Sequence, residues 1–394
     1  MATRRRSARA IENDAAIREA AIMAIARRGV DSLSLRDAGT MAGLTHGATY
    51  ARYEDSHEML VDVWQSRLGP RAVQIFEMCA RAVSHPNEDT VKPLIELARR
   101  PEAEDAAMVE ALMVSRRNPV LLEAVEPFIQ KYLVPDDALT ATSARAHART
   151  LCTFALTLVC IFEEYHFDPD LQNLETLERV LTATLAHTGE VELNLDDVEV
   201  LVKAANRDES LKSRLAHATS QIVGSSGYYG ATISRIARRV ECSPGAVYKF
   251  FRSKEELTVF AFRRIVVNEW IEEHMFGRIL DSAAIAKLLS HEASTESALR
   301  RYFTLETVLA AVHIETLKPA ILDQLRDPGG YVNRLPADDR QPIVAQTVRS
   351  IARMAKGVRW LAVLSPTTGS IDFSDTAEAF RVALKQEESR AAAP

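Results

Sequence analysis

The chain lacks the residue spacings on which bond-making chemistry depends. It has no Gly-rich phosphate loop, no His-x-x-x-His or Cys-x-x-Cys pair and no nucleophile motif. An enzyme is therefore not expected, and no metal or cofactor is implied. The paired acids Glu163-Glu164 and Asp196-Asp197 read as solvated faces. Cysteines 79, 152, 160 and 242 are widely scattered, which argues against zinc and a disulfide framework and suits a reducing cytoplasm. What the chain does carry, twice, is a set of hydroxyl residues placed to start short helices: Ser34 and Thr45, then Thr232, Ser243 and Ser253. A hydroxyl there accepts from one of the backbone N–H groups that the first helical turn leaves unpaired. The N–H groups that remain favour anions, so non-covalent binding of phosphate is the chemistry open to such sites.

These helix starts belong to a repeat. Two segments align without gaps at an offset of 198, sharing Ala20/Ala218, Gly29/Gly227, Gly47/Gly245, Ala48/Ala246, Tyr50/Tyr248, Glu58/Glu256 and Val61/Val259. Each opens on an apolar pattern of helical period, at 17, 21, 24 and 25 or at 211, 215, 218 and 222. Gly29 or Gly227 ends that helix in the left-handed position that suits glycine. A second helix starts at Ser34 or Thr232. After a short turn, Ala42-Gly43-Leu44 or Val240-Glu241-Cys242, a third starts at Thr45-His46 or Ser243-Pro244, where Pro suits the first helical position. Asp55-x-x-Glu58 and Ser253-x-x-Glu256 cap a fourth. Two short helices joined by a tight turn predict a helix-turn-helix in each copy.

The net charge of −6 does not by itself suggest a nucleic-acid binder, but its distribution is uneven. Residues 211–267 carry about +7, residues 1–60 about +1 and the remainder about −14. Phosphate affinity follows the charge at the contact face, so an acidic body with basic heads is compatible with DNA binding. The run Arg4-Arg5-Arg6 to Arg9 reads as a disordered tail or, alternatively, as an arm gripping phosphate or the minor groove. No apolar stretch follows it, which argues against a secretory signal. The longest apolar run, 151–162, is shorter than the roughly 18 residues of a membrane span and predicts a bundle helix instead.

Gly245-Ala-Val-Tyr-Lys-Phe-Phe251 followed by Ser253-Lys-Glu-Glu-Leu257 resembles the Gly-x-x-Tyr-x-x-Phe-x-Ser-Lys-Glu-x-Leu signature of the tetracycline-repressor (TetR) family. Ile236-Ala237 matches that family's second helix. The first copy is more diverged, with Ala38-Gly39 for Ile-Ala and Ser56-His57 for Lys-Glu. The resemblance implies that the third helix enters the DNA major groove. Carried over by position, it implies DNA contacts from Thr45, His46, Thr49, Tyr50 and Arg52 in the first copy, with Ser34 and Arg36 from the second helix. In the second copy it implies Ser243, Pro244, Val247, Tyr248 and Lys249, with Thr232 and Arg235 before them and Lys254 after. Each tyrosine could equally pack in the core. Gly47 and Gly245 are expected to let the third helix lie close against the second.

An all-α fold of two tandem TetR-like halves follows as the expectation. Its parts are a first head at 1–60, a first helical body at 61–190, a linker at 191–206, a second head at 207–258 and a second body at 259–394. Body helices are expected near 56–83, 88–99, 102–116, 118–133, 142–165 and 171–188, and near 254–278, 281–291, 295–312, 318–326, 341–364 and 373–388. In the family two chains pair through their last two long helices. Here 142–165 with 171–188 would pair with 341–364 and 373–388, as a pseudo-dimer within one chain or as part of a homodimer. The resemblance also implies an inducer pocket, for which Trp64, Met108, Leu112 and Phe128 are candidates in the first body and Trp270 and Phe303 in the second. The expected function is a cytoplasmic DNA-binding regulator, a repressor released by an unknown small molecule, with double-stranded operator DNA as partner and no membrane. The alternative is a protein-interaction adaptor whose heads no longer bind DNA.

Overall fold

The computed structural model describes residues 8–135, 140–167, 174–189, 193, 210–267, 281–328 and 342–391. Every regular element among them is helical. Near the N-terminus lie α1 (Ala8–Arg28), α2 (Leu35–Met41), α3 (His46–Tyr50) and α4 (Ser56–Val63). A π-turn at Trp64–Leu68 carries α4 into α5 (Gly69–Ser84), so 56–84 is one long rod. The first body continues through α6 (Glu88–Arg99), α7 (Ala103–Ser115), α8 (Pro119–Phe128), α9 (Ala141–His166) and α10 (Leu174–Ala186). The lengths of the first four helices, 21, 7, 5 and 8 residues, are nearly repeated by the four that follow α10, at 20, 7, 5 and 9. The chain runs on through α11 (Leu211–Gly230), α12 (Ile233–Arg239), α13 (Pro244–Tyr248), α14 (Lys254–Phe262), α15 (Ser282–Ala293), α16 (Ala298–His313), α17 (Lys318–Arg326), α18 (Pro342–Leu364) and α19 (Ser374–Ala391). The acidic stretch expected as a linker (residue 193 apart), Arg4-Arg5-Arg6, Asp196-Asp197 and Trp270 lie outside the described residues.

α9 is central. It is long and apolar enough to cross a membrane by length and composition, yet 89% of its most apolar window is buried between other helices. It packs along α18, and α10 packs along α19, so these four helices form one interface. The α9–α18 crossing is close enough for backbones to touch: a Cβ on Gly357 would lie 2.8 Å from the carbonyl carbon of Ala155. Phe162 meets Trp360 edge to face at 5.5 Å, a favourable aromatic geometry. Ion pairs close the rest: Arg149 to Asp375 at 2.6 Å, Arg179 to Glu387 at 2.9 Å and Arg353 to Glu163 at 2.8 Å, with Lys356 on the same Glu163. Glu163 is thus no solvated face. It is 3% exposed, and its cations come from about 190 positions further along the chain.

The described candidate pocket residues are buried and packed against other side chains. Trp64, Phe128, Tyr132, Phe76 and Phe154 form a continuous aromatic cluster with centroid spacings of 5.0–6.4 Å. Met108, Leu112 and Phe303 are fully buried, and the Trp64 indole N–H donates to the Ala124 carbonyl at 3.0 Å. None of these five candidates (Trp64, Met108, Leu112, Phe128 and Phe303) lines the cleft that does open in the second body.

Candidate nucleic-acid interface

Both three-helix heads are built on the same caps. Ser34 Oγ accepts from Asp37 N at 3.1 Å and Thr232 Oγ1 from Arg235 N at 3.2 Å. Thr45 Oγ1 accepts from Ala48 N at 3.3 Å and Ser243 Oγ from Ala246 N at 3.2 Å. At the fourth helix, Asp55 accepts from Glu58 N and Ser253 from Glu256 N. Glu58 and Glu256 return the favour, accepting from the backbone N–H of Glu54 and Arg252. Each such bond is worth about 1 kcal/mol of helix stability, and together they fix where each short helix begins.

The turns match as well. Gly29 and Gly227 have φ of 82° and 74°, and the turn between second and third helices holds Gly43 at 69° and Glu241 at 58°. Glu241 is the one non-glycine residue in the left-handed region among the described residues. It keeps the turn geometry at the cost of Cβ crowding.

The outer face of α13 presents Ser243, Pro244, Tyr248 and Lys249 to solvent, with Thr232 and Arg235 exposed on α12 beside it. α3 likewise presents Thr45, His46 and Tyr50, and Arg36 stands exposed on α2 with Ser34 half-buried. Tyr50 is 49% exposed and Tyr248 56%, so neither ring is core packing. The His46 and Tyr50 rings pack against each other, tilted by 59° with centroids 4.4 Å apart. Three basic side chains not singled out from the sequence, Arg238, Arg239 and Arg252, share the exposed surface of the second head, together with Phe250. Their signal was the local charge excess alone.

Four expected contact residues are placed otherwise. Thr49 and Val247 are fully buried. They are the inward knobs of α3 and α13, and Thr49 sits over Gly39, where a Cβ would lie 2.2 Å from its Oγ1. The diverged Gly39 therefore makes room for Thr49. Arg52 is turned inward onto the buried Asp14. Lys254 donates to the Tyr228 carbonyl at 3.1 Å with its ammonium 3.7 Å from the ring centre, and burial lowers its pKa. Gly47 and Gly245 also differ from expectation. A Cβ at Gly47 would meet nothing within 4 Å, and one at Gly245 only Ser243 Oγ at 3.8 Å. They face outward, on the open side of the third helix, and the close helix–helix approach is at Gly39.

The heads are seated on the bodies by crossed contacts. A Cβ on Gly29 would lie 2.9 Å from Glu110 Oε1 and 3.0 Å from His313 Nε2. One on Gly227 would lie 3.0 Å from Arg117 Cζ and 3.3 Å from Glu306 Oε2. Each head thus touches an acid from its own body and a basic residue from the other. Val30 N donates to Glu110 at 2.6 Å, and Arg117 bridges Glu306 at 2.9 Å to Asp31 of the first head at 2.6 Å.

Residues 215–259 match the family model described as bacterial regulatory proteins, tetR family. That span runs from within α11 to within α14 and contains the whole exposed face of α12 and α13. The match supports a DNA-binding transcriptional regulator of the tetR family, all-α in fold. No curated protein matches the chain.

Proposed function

We propose that the chain is a repressor in which two unequal heads address one imperfect palindrome, and that a small molecule held in the helical bodies releases it. The observation that carries this reading is the solvent-facing start of α13, inside the tetR-family match. There Ser243, Tyr248 and Lys249 stand exposed with Thr232 and Arg235 beside them. Hydroxyls and a helix N-terminus suit phosphate, and the open side at Gly245 lets the backbone come close to it. The same arrangement at Thr45, His46, Gly47 and Tyr50 supports the first head as a partner. The pairing of α9 and α10 with α18 and α19, and the crossed seating at Gly29 and Gly227, support the two halves acting as a pseudo-dimer. Joining both heads in one chain raises the effective concentration of the second on DNA without any new contact.

A salt-dependent mobility shift on promoter DNA tests this. Tyr248→Ala with Lys249→Ala should abolish the shift, and raising salt from about 50 to 200 mM should weaken wild-type binding by orders of magnitude. Unchanged binding by the double variant would overturn it. A second reading, in which the first head serves protein contact, is favoured by one observation: Arg52 is spent on Asp14, and Ser56 stands where the second head has Lys254. Tyr50→Ala separates the two, since it weakens DNA binding only if the first head is engaged.

A further inference from the structure

The two heads are seated by chemically different cations. At the second seat two arginines act together. Arg116 donates to the Gly224 carbonyl of α11 at 2.7 Å and reaches Glu306 at 3.2 Å, while Arg117 bonds Glu306 at 2.9 Å and Asp31 at 2.6 Å. Both guanidiniums are permanently charged. At the first seat one histidine takes their place. His313, at the end of α16, has its Nδ1 3.1 Å from the Arg27 carbonyl in the last turn of α1. Its Nε2 lies 3.9 Å from Glu110 Oε2, and Oε1 of the same buried carboxylate accepts from Val30 N at 2.6 Å.

A carbonyl only accepts, so Nδ1 carries the hydrogen, and Nε2 of the neutral ring is a bare acceptor facing a carboxylate. That Nε2 is buried and has no hydrogen-bond partner among the described residues. A proton there makes it a donor beside Glu110. It also puts positive charge at the C-terminal end of α1, where the helix dipole favours it. The other groups around the ring are neutral or already paired. His166 of α9 lies edge to face at 6.4 Å; burial, helped by His313 and by Lys318 of α17, lowers its pKa to about 3, so it stays neutral. Arg28 bonds Asp37 at 3.0 Å, and Asp31 and Glu306 are held by Arg117. Tyr229 of α11 shares the same small space and is kept neutral, its pKa raised by burial and by the charges of Asp31 and Glu110.

We propose that His313 is the positioning residue of the first head, and that a proton on its ring tightens that head's seat while the second seat relies on arginines that do not titrate. Histidine changes charge between about pH 5 and 8, so the first head's share of DNA binding rises as pH falls. The seat is independent of what the head binds; only its effect on DNA rests on the reading of two heads addressing one site.

Amide hydrogen exchange of the full chain, corrected for the intrinsic dependence of exchange on pH, reads the seat directly. Protection of residues 29–33 should be about tenfold greater at about pH 6 than at about pH 8. His313→Asn, whose amide can still donate to the Arg27 carbonyl, should abolish that difference. So should Glu110→Gln, which keeps an acceptor for Val30 N. The residues around Gly227 should tighten on acidification in none of the three proteins. Their cations are permanent, and burial raises the pKa of Glu306, so acid can only loosen them. Equal wild-type protection at both pH values, or the same difference in either variant, overturns the proposal, and should one variant fail to fold the other decides. Mobility shifts at the same two pH values separate the two readings. Wild type should gain more DNA affinity on acidification than His313→Asn, a comparison in which His46 on the DNA-facing surface contributes to both alike. If exchange behaves as expected but both gain equally, the two-head reading fails and the seat stands. If exchange is unchanged and Tyr50→Ala still weakens DNA binding, the seat fails alone.

Discussion

Glu292 holds two guanidiniums in the interior of the second body, Arg300 at 2.7 Å and Arg359 at 2.7–2.8 Å. Burial works against its charge, but the two arginines prevail and hold its pKa at about 2, below the usual 4.5. The folded state therefore favours the carboxylate. The stability this contributes is present above pH 4.5 and is lost as pH falls towards 2. Glu292→Gln should cost about 3–5 kcal/mol at pH 7 in denaturant melts, because it strands two buried cations. The variant should also lose less stability than wild type between pH 4.5 and 2. Glu241→Gly tests the opposite sign. Relieving the left-handed strain at φ 58° should raise stability by about 0.5–1 kcal/mol, the crowding relieved less the entropy a glycine adds to the unfolded chain. At this scale the sequence was legible where the signal is local. Every cap from Ser34 to Ser253 lies within four residues of its partner. It was illegible where the deciding partner is remote or the helix too short to set a phase. Five-residue α3 and α13 complete little more than one turn, so period alone could not tell that Thr49 and Val247 point inward and Gly47 outward. Glu163 looked solvated because Arg353 and Lys356 lie some 190 residues away.

Among the helices, the α9–α18 crossing is tightly constrained, since Gly357 leaves no room for a Cβ over Ala155. Gly357→Val should destabilise by about 1–3 kcal/mol or more, as overpacking does, in the same denaturant melts. If the variant melts as wild type does, that crossing is not formed as described. The apolar pattern of 151–162 and of 351–361 identified both long helices, and the expected boundaries fall within a few residues of those observed. What pattern could not reveal was the seating of the heads. Gly29 and Gly227 were visible as helix stops, but their contacts with His313 and Arg117 depend on how α7 and α16 approach from opposite halves. Arg117→Ala removes the bridge between Glu306 and Asp31 and leaves Glu306 with Arg116 alone. It should cost about 3 kcal/mol in global stability, and it should lower DNA affinity beyond what the loss of folded protein accounts for.

For the whole molecule, the charge separation seen in the sequence becomes spatial, with exposed Arg235, Arg238, Arg239, Lys249 and Arg252 gathered on the second head. The first head offers fewer cations, its Arg52 being turned inward. Since α18 and α19 already cover α9 and α10, light scattering should find a single chain of 43.7 kDa and not its double. The central claim is that one chain places two non-equivalent heads on one DNA site. A binding selection from random DNA tests it most directly, because the enriched sequences report both half-sites and their spacing at once. The expected result is two half-sites of unequal sequence at fixed spacing, the stronger one lost on Tyr248→Ala with Lys249→Ala. Enrichment of a perfect palindrome, with neither half preferring either head, would contradict it.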